Sequence, residues 1–266
     1  LVPMQRAAAS LTGLLLCLVL AVLGGACDST NALSGSARVD IGFTGAPLSR
    51  PVSDAASAKS SHAPLQMEGP NGTLTISKIR LIVDGVQLKG SGNATDVDVD
   101  SAFVSLPLDS TTIEPVASGT VPVGTYETLT LTIENADLED ETREEELRTA
   151  IDESFPNWPD EASMVVTGTF SHTGEDTTQE FATYFTAETK VTKETRTALD
   201  VSGADVIRGL NVRVDPSRWF AKPDGSLWNL SEYDYARTGA VIDFEDEIED
   251  GVASIEIDDR TLGGGS

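Results

Sequence analysis

Two cysteines and two histidines in 266 residues leave little for thiol or imidazole chemistry. Cys17 falls inside an apolar run at the start of the chain, so beyond that run only Cys27 remains and no internal disulfide can form. A usual zinc centre takes four ligands from Cys, His and carboxylates, and His62 and His172 stand far apart with no cysteine beside either. Both read as solvated residues. No Gly-x-Ser-x-Gly elbow is present to expose a nucleophilic serine. Basic residues are scarce as well: 18 Lys and Arg face 43 Asp and Glu, a formal charge of −25 at pH 7. Phosphate backbones are held by clusters of Lys and Arg that displace counterions, and the nearest approach to such a cluster is the scattered Lys190, Lys193 and Arg196. Nucleic acid is therefore disfavoured as a partner, as is direct adsorption of a folded surface to anionic lipid. The acidity itself serves solubility, with salt relieving the self-repulsion. The expectation is a protein that is not an enzyme and carries no cofactor.

What is present at the start is an address. Arg6 supplies positive charge, Leu11 to Leu23 is an apolar run, and Gly24, Gly25 and Ala26 follow as small residues before Cys27. Met4 is the expected initiator. The order resembles the lipobox of bacterial lipoproteins. That resemblance implies removal of a signal peptide at 1–26, a lipid-modified, palmitate-bearing Cys27, and a place in the bacterial cell envelope facing the periplasm or exterior. Two other readings of the same residues stay open. Gly24 and Ala26 also suit ordinary signal peptidase, which would release a soluble protein. The uncharged stretch Ala7 to Ala26 is 20 residues, about enough to span a bilayer as an uncleaved anchor.

Residues 27–36 read as the lipidated cysteine with a small, polar tether. From residue 37 to 260 the pattern is that of one β-sandwich domain, with a flexible tail at 261–266. Val39, Ile41 and Phe43 alternate with Arg38, Asp40 and Gly42, the period of a half-buried strand. Residues 46–72, rich in Ser, Ala and Pro, are expected to form a mobile loop. Thr73 to Val83 is a strand whose apolar parity changes near Ser77, implying a bulge. Asp84-Gly85 is expected to turn the chain, with Val86 to Lys89 returning. Short strands should follow around Val97, Val99, Phe103, Leu106, Leu108, Ile113 and Val116, then around Leu129, Leu131 and Ile133. Residues 138–151 break the two-residue period: Leu147, Ala150 and Ile151 share a helical face, and Thr142 with Glu145 forms a capping box. Strands resume at 164–171, 180–187, 189–201 and 207–214, with a hairpin turn near Gly174. The fold class expected is mainly β, an antiparallel β-sandwich with a short acidic helical insert.

Thr44-Gly45-Ala46-Pro47 closes the first strand, and Pro122-Val123-Gly124-Thr125-Tyr126 opens a later one. Together they resemble uncharacterised lipoprotein domains with a prealbumin-like sandwich. The resemblance implies a fold and no activity.

Three clusters invite a site. Asp96, Asp98 and Asp100 alternate, and calcium takes several such oxygens, so they form a candidate metal site; Ser101 and Pro107 stand where an EF-hand needs Gly and Glu. As a strand, the same spacing places three carboxylates on a wet face. Asp243 to Asp250 contains Phe244 and Ile248 four apart, which suits an amphipathic turn of helix with a solvated acidic face, with calcium binding as the alternative. Aromatic residues gather late, at Trp219, Phe220, Trp228, Tyr233 and Tyr235, around the turn Pro223-Asp224-Gly225. Exposed, Trp219, Phe220 and Trp228 would be a ligand-binding platform for sugar rings; packed, they would cap one end of the sandwich. The Asn-x-Ser/Thr triplets at Asn71, Asn93 and Asn229 carry little weight in a bacterial host.

An anchor, a spacer and a β scaffold without catalytic machinery lead to a lipid-anchored envelope protein. It is expected to be a non-catalytic module whose partners are the membrane, through the lipid, and a glycan or protein ligand. A structural or adhesin-like assembly component is the alternative, followed by a calcium-binding domain or a hydrolase built on paired carboxylates.

Overall fold

The computed structural model describes residues 35–45, 64–92, 96–100, 102–136, 141–202 and 208–258. The signal segment with Cys27, most of the tether, residues 46–63 with His62, Asn93 and the tail all lie outside the described residues. Among those described, no helix is long and apolar enough to cross a membrane.

The first strand, β1 (Ser36–Gly45), buries the expected face, with Val39, Ile41 and Phe43 at most 1% exposed, but the opposite face is wet only at Ser36 and Arg38: Asp40, Gly42 and Thr44 are buried as well, so the strand is not half-buried as its alternation predicts. β2 (Leu65–Gly69) then forms a hairpin with β3 (Gly72–Ser91). The C-terminal part of the expected mobile loop is thus a strand. Its cue was weak, because only Leu65 of the five β2 residues is fully buried.

β3 runs on for 20 residues. Its register against the strand Met164–His172 shifts between Ile76 and Lys78, as the parity change at Ser77 implies, so Ser77 and Lys78 both face out while Ile76 and Ile79 are both buried. The turn expected at Asp84-Gly85 does not form. Two-residue hairpin turns of that kind need positive φ, and the positive-φ glycines are Gly72, Gly92, Gly174, Gly225 and Gly239. At Gly85 the strand carries a second register shift instead, against the strand Gly124–Ile133, and Arg143 donates to the Asp84 carbonyl at 2.9 Å. β3 continues to Ser91, and β4 (Val97–Asp100) and β5 (Phe103–Ser105) then pair back onto it.

β6 (Glu114–Pro122) and β7 (Gly124–Ile133) are separated by Val123 alone, yet they belong to different sheets. Tyr126, fully buried, donates its hydroxyl to the Pro122 carbonyl at 2.9 Å and ties the crossing shut. The acidic insert is α1 (Glu141–Asp152). Leu147 and Ile151 pack with Ile82 against the outside of the larger sheet, but Ala150 is exposed.

The rest of the chain supplies β8 (Met164–His172), β9 (Thr178–Thr186), β10 (Thr189–Val201), β11 (Arg208–Val214), α2 (Ser217–Phe220), a 3₁₀ turn (Leu230–Tyr233), α3 (Tyr235–Thr238), β12 (Val241–Asp243), α4 (Glu245–Gly251) and β13 (Val252–Asp258). A sheet in the order β13-β11-β1-β6 packs on a larger one in the order β10-β7-β3-β8-β9-β12, with β2, β4 and β5 also on β3. The sandwich is therefore mainly β with few short helices, as its periodicity predicts. It departs from a purely antiparallel one because β1 pairs with β11, and β9 with β12, in parallel. Buried apolar residues from both sheets form one continuous core.

Candidate functional site at the aromatic end

The segment after β11 is rich in residues that fix turns, and the structure uses nearly all of them. Asp215 accepts from the Ser217 amide and hydroxyl to start α2. Trp219 and Phe220 then turn inward, at 3% and 0% exposure. Phe220 stacks on Phe244 with ring centroids 5.8 Å apart and planes 19° apart, and both lie near Phe185. The amphipathic reading of the acidic run holds here: Phe244 and Ile248 are buried while Glu245, Asp246, Glu249 and Asp250 stay in water.

This corrects the proposed platform. Trp219 and Phe220 have no free ring face to offer, because burying such large apolar side chains against one another outweighs leaving them wet. Of the three, only Trp228 remains half-exposed.

The loop carrying Trp228 is held from several sides. Lys222 donates its amide to the Ser226 carbonyl across Gly225, which adopts φ 82°, and Asp224 accepts from the Ser226 amide and hydroxyl. The Ser226 hydroxyl is foremost in holding the Asp224 carboxyl below its ordinary value. Asn71, in the β2–β3 turn, grips Leu227 like a neighbouring strand: its Nδ2 donates to the Leu227 carbonyl at 2.8 Å and its Oδ1 accepts from the Leu227 amide at 2.9 Å. Gly69 is required beside it, since a Cβ there would sit 2.9 Å from the Leu227 Cγ. Trp228 is fastened through its own amide to the Phe220 carbonyl.

Next to this anchored residue, Asn229 caps the 3₁₀ turn. Its Oδ1 accepts from the Ser231 amide and hydroxyl, while its Nδ2 donates to Glu232 Oε1 at 2.9 Å and lies 3.3 Å from His172 Nε2. The turn is pinned to β9, where Thr183 donates to the Leu230 carbonyl and Asp234 accepts from the Ala182 amide. On the surface of this frame stand Trp228 and Tyr233, both half-exposed, with ring centroids 6.3 Å apart and planes inclined at 46°. Lys222 Nζ lies 5.5 Å from the Trp228 ring centre. The result is two inclined aromatic walls beside an amide, a carboxylate, an imidazole and an ammonium. The rings can stack on apolar ring faces, and the Glu232 carboxylate and Lys222 ammonium can exchange hydrogen bonds with hydroxyls, while the Asn229 amide is spent holding the turn.

The remaining sequence candidates fall elsewhere. Tyr235 leaves its sequence neighbours and packs on Tyr184 at 5.0 Å, in a run of edge-to-face contacts through Trp158 to Phe103 and Phe155 beside α1. Asp96 and Asp98 are both exposed; Asp96 accepts from the Gly90 amide and Asp98 from Gln87, and the Asp100 side chain lies outside the described structure. Among the described residues no three His, Cys, Asp or Glu side chains gather as a metal-binding group. His172 meets the Asn229 amide rather than a hydroxyl. The amides of Asn71 and Asn229 are both committed to internal hydrogen bonds. Sequence reading missed Lys222, Asn71 and His172 as members of one site, because they come from three segments that only the fold brings together.

No protein-family model matches the chain, and no curated protein and no solved structure matches it either.

Proposed function

We propose that the chain is the precursor of a bacterial lipoprotein, anchored to a membrane through acyl chains on Cys27, whose β-sandwich binds glycan non-covalently at the aromatic end. The observation that carries the binding reading is the Trp228–Tyr233 pair: two large rings left partly exposed at the surface, on a loop that Asn71, Asn229 and Asp224 hold in place. Preorganised aromatic surface binds with little entropy left to lose. The anchoring reading rests on Arg6, the apolar run and the small residues before Cys27. Two or three acyl chains would hold the domain at a membrane effectively permanently, since each buried methylene contributes about 0.8 kcal/mol.

Mass spectrometry of the mature N terminus tests the anchor. A diacylglyceryl-modified Cys27 is the expected result, and an unmodified Cys27 or a retained segment 7–26 refutes it. A glycan array probed with the protein and with Trp228→Ala and Tyr233→Ala tests the binding. Hits that both variants lose, with melting temperatures lowered by no more than about 4 °C, are expected. An array silent for the unaltered protein, or hits that both variants keep, defeats the reading.

A further inference from the structure

A second concave surface lies on the outer face of the smaller sheet, remote in sequence from the aromatic end. In register, Thr44 of β1 lies beside Arg213 of β11, and Asn211 lies between Gly42 of β1 and Glu256 of β13. Thr44, Asn211, Arg213 and Glu256 all line one cleft. Gly42 stands on that face of β1, two residues before Thr44, and brings no side chain, so the surface is recessed there. The turn Asp109 to Thr112 forms a wall. Asp109 accepts from the amides and hydroxyls of both Thr111 and Thr112, and Thr44 donates to the Thr112 carbonyl at 2.9 Å. The turn is seated against Gly45, where a Cβ would come within 2.6 Å of the Asp109 carbonyl oxygen. The cleft so enclosed measures about 360 Å³, at the small end of the range for small-molecule sites.

Its polar groups specify what fits. Arg213 Nη2 lies 3.2 Å from Glu256, which Arg196 of β10 also approaches, at 3.6 Å. Two guanidinium groups therefore share one carboxylate, leaving one positive charge in this triad on a protein of formal charge −25. Arg213 Nε and Asn211 Oδ1 are buried without a hydrogen-bond partner, a state that a ligand group bonding to them would relieve. The hydroxyl protons of Thr44 and Thr111 are already given to Thr112 and Asp109, so both oxygens face the cleft as acceptors. The lining thus offers one cationic donor and several acceptors. Its complement is a molecule with one carboxylate and several hydroxyl protons.

We infer that this cleft binds a sugar acid of monosaccharide size, its carboxylate on Arg213 and its hydroxyls on Thr44, Thr111 and Asn211. The inference is independent of the aromatic end and survives loss of Trp228. Calorimetric titration of the full chain in detergent at low salt, with glucuronate, glucose and inorganic phosphate in turn, tests it. Saturable glucuronate binding is expected, at least about tenfold tighter than that of glucose or phosphate, because a charge-assisted guanidinium–carboxylate contact is roughly twice as strong as a neutral one. Arg213→Gln should lower glucuronate affinity by about tenfold or more. Glu256→Gln, which removes the competing carboxylate, should raise it several-fold, and this arm stands even if the Arg213 variant does not fold. Equal binding of glucose or phosphate, no glucuronate binding, or Glu256→Gln binding no more tightly than the unaltered protein would overturn the inference.

Discussion

Replacing Trp219 and Trp228 separately by alanine distinguishes a structural aromatic from a surface one only nine residues away. Trp219 is 3% exposed, meets Phe220 and Phe244 edge-on at 6.2 and 6.0 Å, and donates its indole N–H to the Ile248 carbonyl at 3.4 Å. Truncating a buried tryptophan removes its transfer free energy and leaves a cavity, together about 3–5 kcal/mol. For a domain of this size each kcal/mol moves the melting temperature by roughly 2–4 °C, so Trp219→Ala should melt about 6–20 °C lower. Trp228 is only partly buried, against the margin of the core, and its amide is bonded to the Phe220 carbonyl. Its removal should cost about 1 kcal/mol or less, while weakening any ligand stacked on it by about 2 kcal/mol, or thirtyfold. Thermal melts followed by circular dichroism, alongside binding to a glycan hit, read both quantities on the same samples. The reasoning fails if Trp219→Ala melts with the unaltered protein, or if Trp228→Ala loses as much stability as Trp219→Ala.

Two further perturbations probe the frame. A Cβ at Gly251 would collide with the Trp219 indole, so Gly251→Ala should lower stability by about 1–3 kcal/mol through overpacking; a denaturant midpoint equal to that of the unaltered protein would contradict this. Burial alone would raise the Asp109 carboxyl, but the hydrogen bonds from Thr111 and Thr112 outweigh it and hold it below the ordinary aspartate value. Its contribution is therefore complete above the unfolded-state value of about 3.9 and disappears as pH falls through the lower folded value. Melting temperature against pH should decline more steeply below about pH 4 for the unaltered protein than for Asp109→Asn; parallel curves would show that the carboxylate does not matter.

Strands whose one face is wet were legible because alternation needs no knowledge of the partner strand. The parity change at Ser77 of β3 carried directly into a bulge, and the alternation of β1 into buried Val39, Ile41 and Phe43, though neighbouring β6, β11 and the Asp109–Thr112 turn bury Asp40, Gly42 and Thr44 on the face expected to be wet. Where a local signal competed with sheet continuity, it lost. Asp84-Gly85 has turn chemistry, but β3 continues through it to pair with β4 and β7, gaining ladder hydrogen bonds on both edges that a turn would forfeit. Ala150 has the helical spacing of a core residue and points to water, because the outer face of the larger sheet accommodates only the Leu147 and Ile151 side of α1.

Sequence alone therefore determined the β character, the core faces, the acidic exterior and the signal-like start, all of which follow from residue order and short-range periodicity. Which aromatic residues are buried was decided by the tertiary structure. Trp219 and Trp228 are alike in type and neighbourhood, and only the arrival of Phe185, Phe244 and Ile248 from other segments sends one ring into the core and leaves the other at the surface. The cleft of Thr44, Asn211, Arg213 and Glu256 is likewise invisible along the chain, because it exists only where three strands distant in sequence lie side by side.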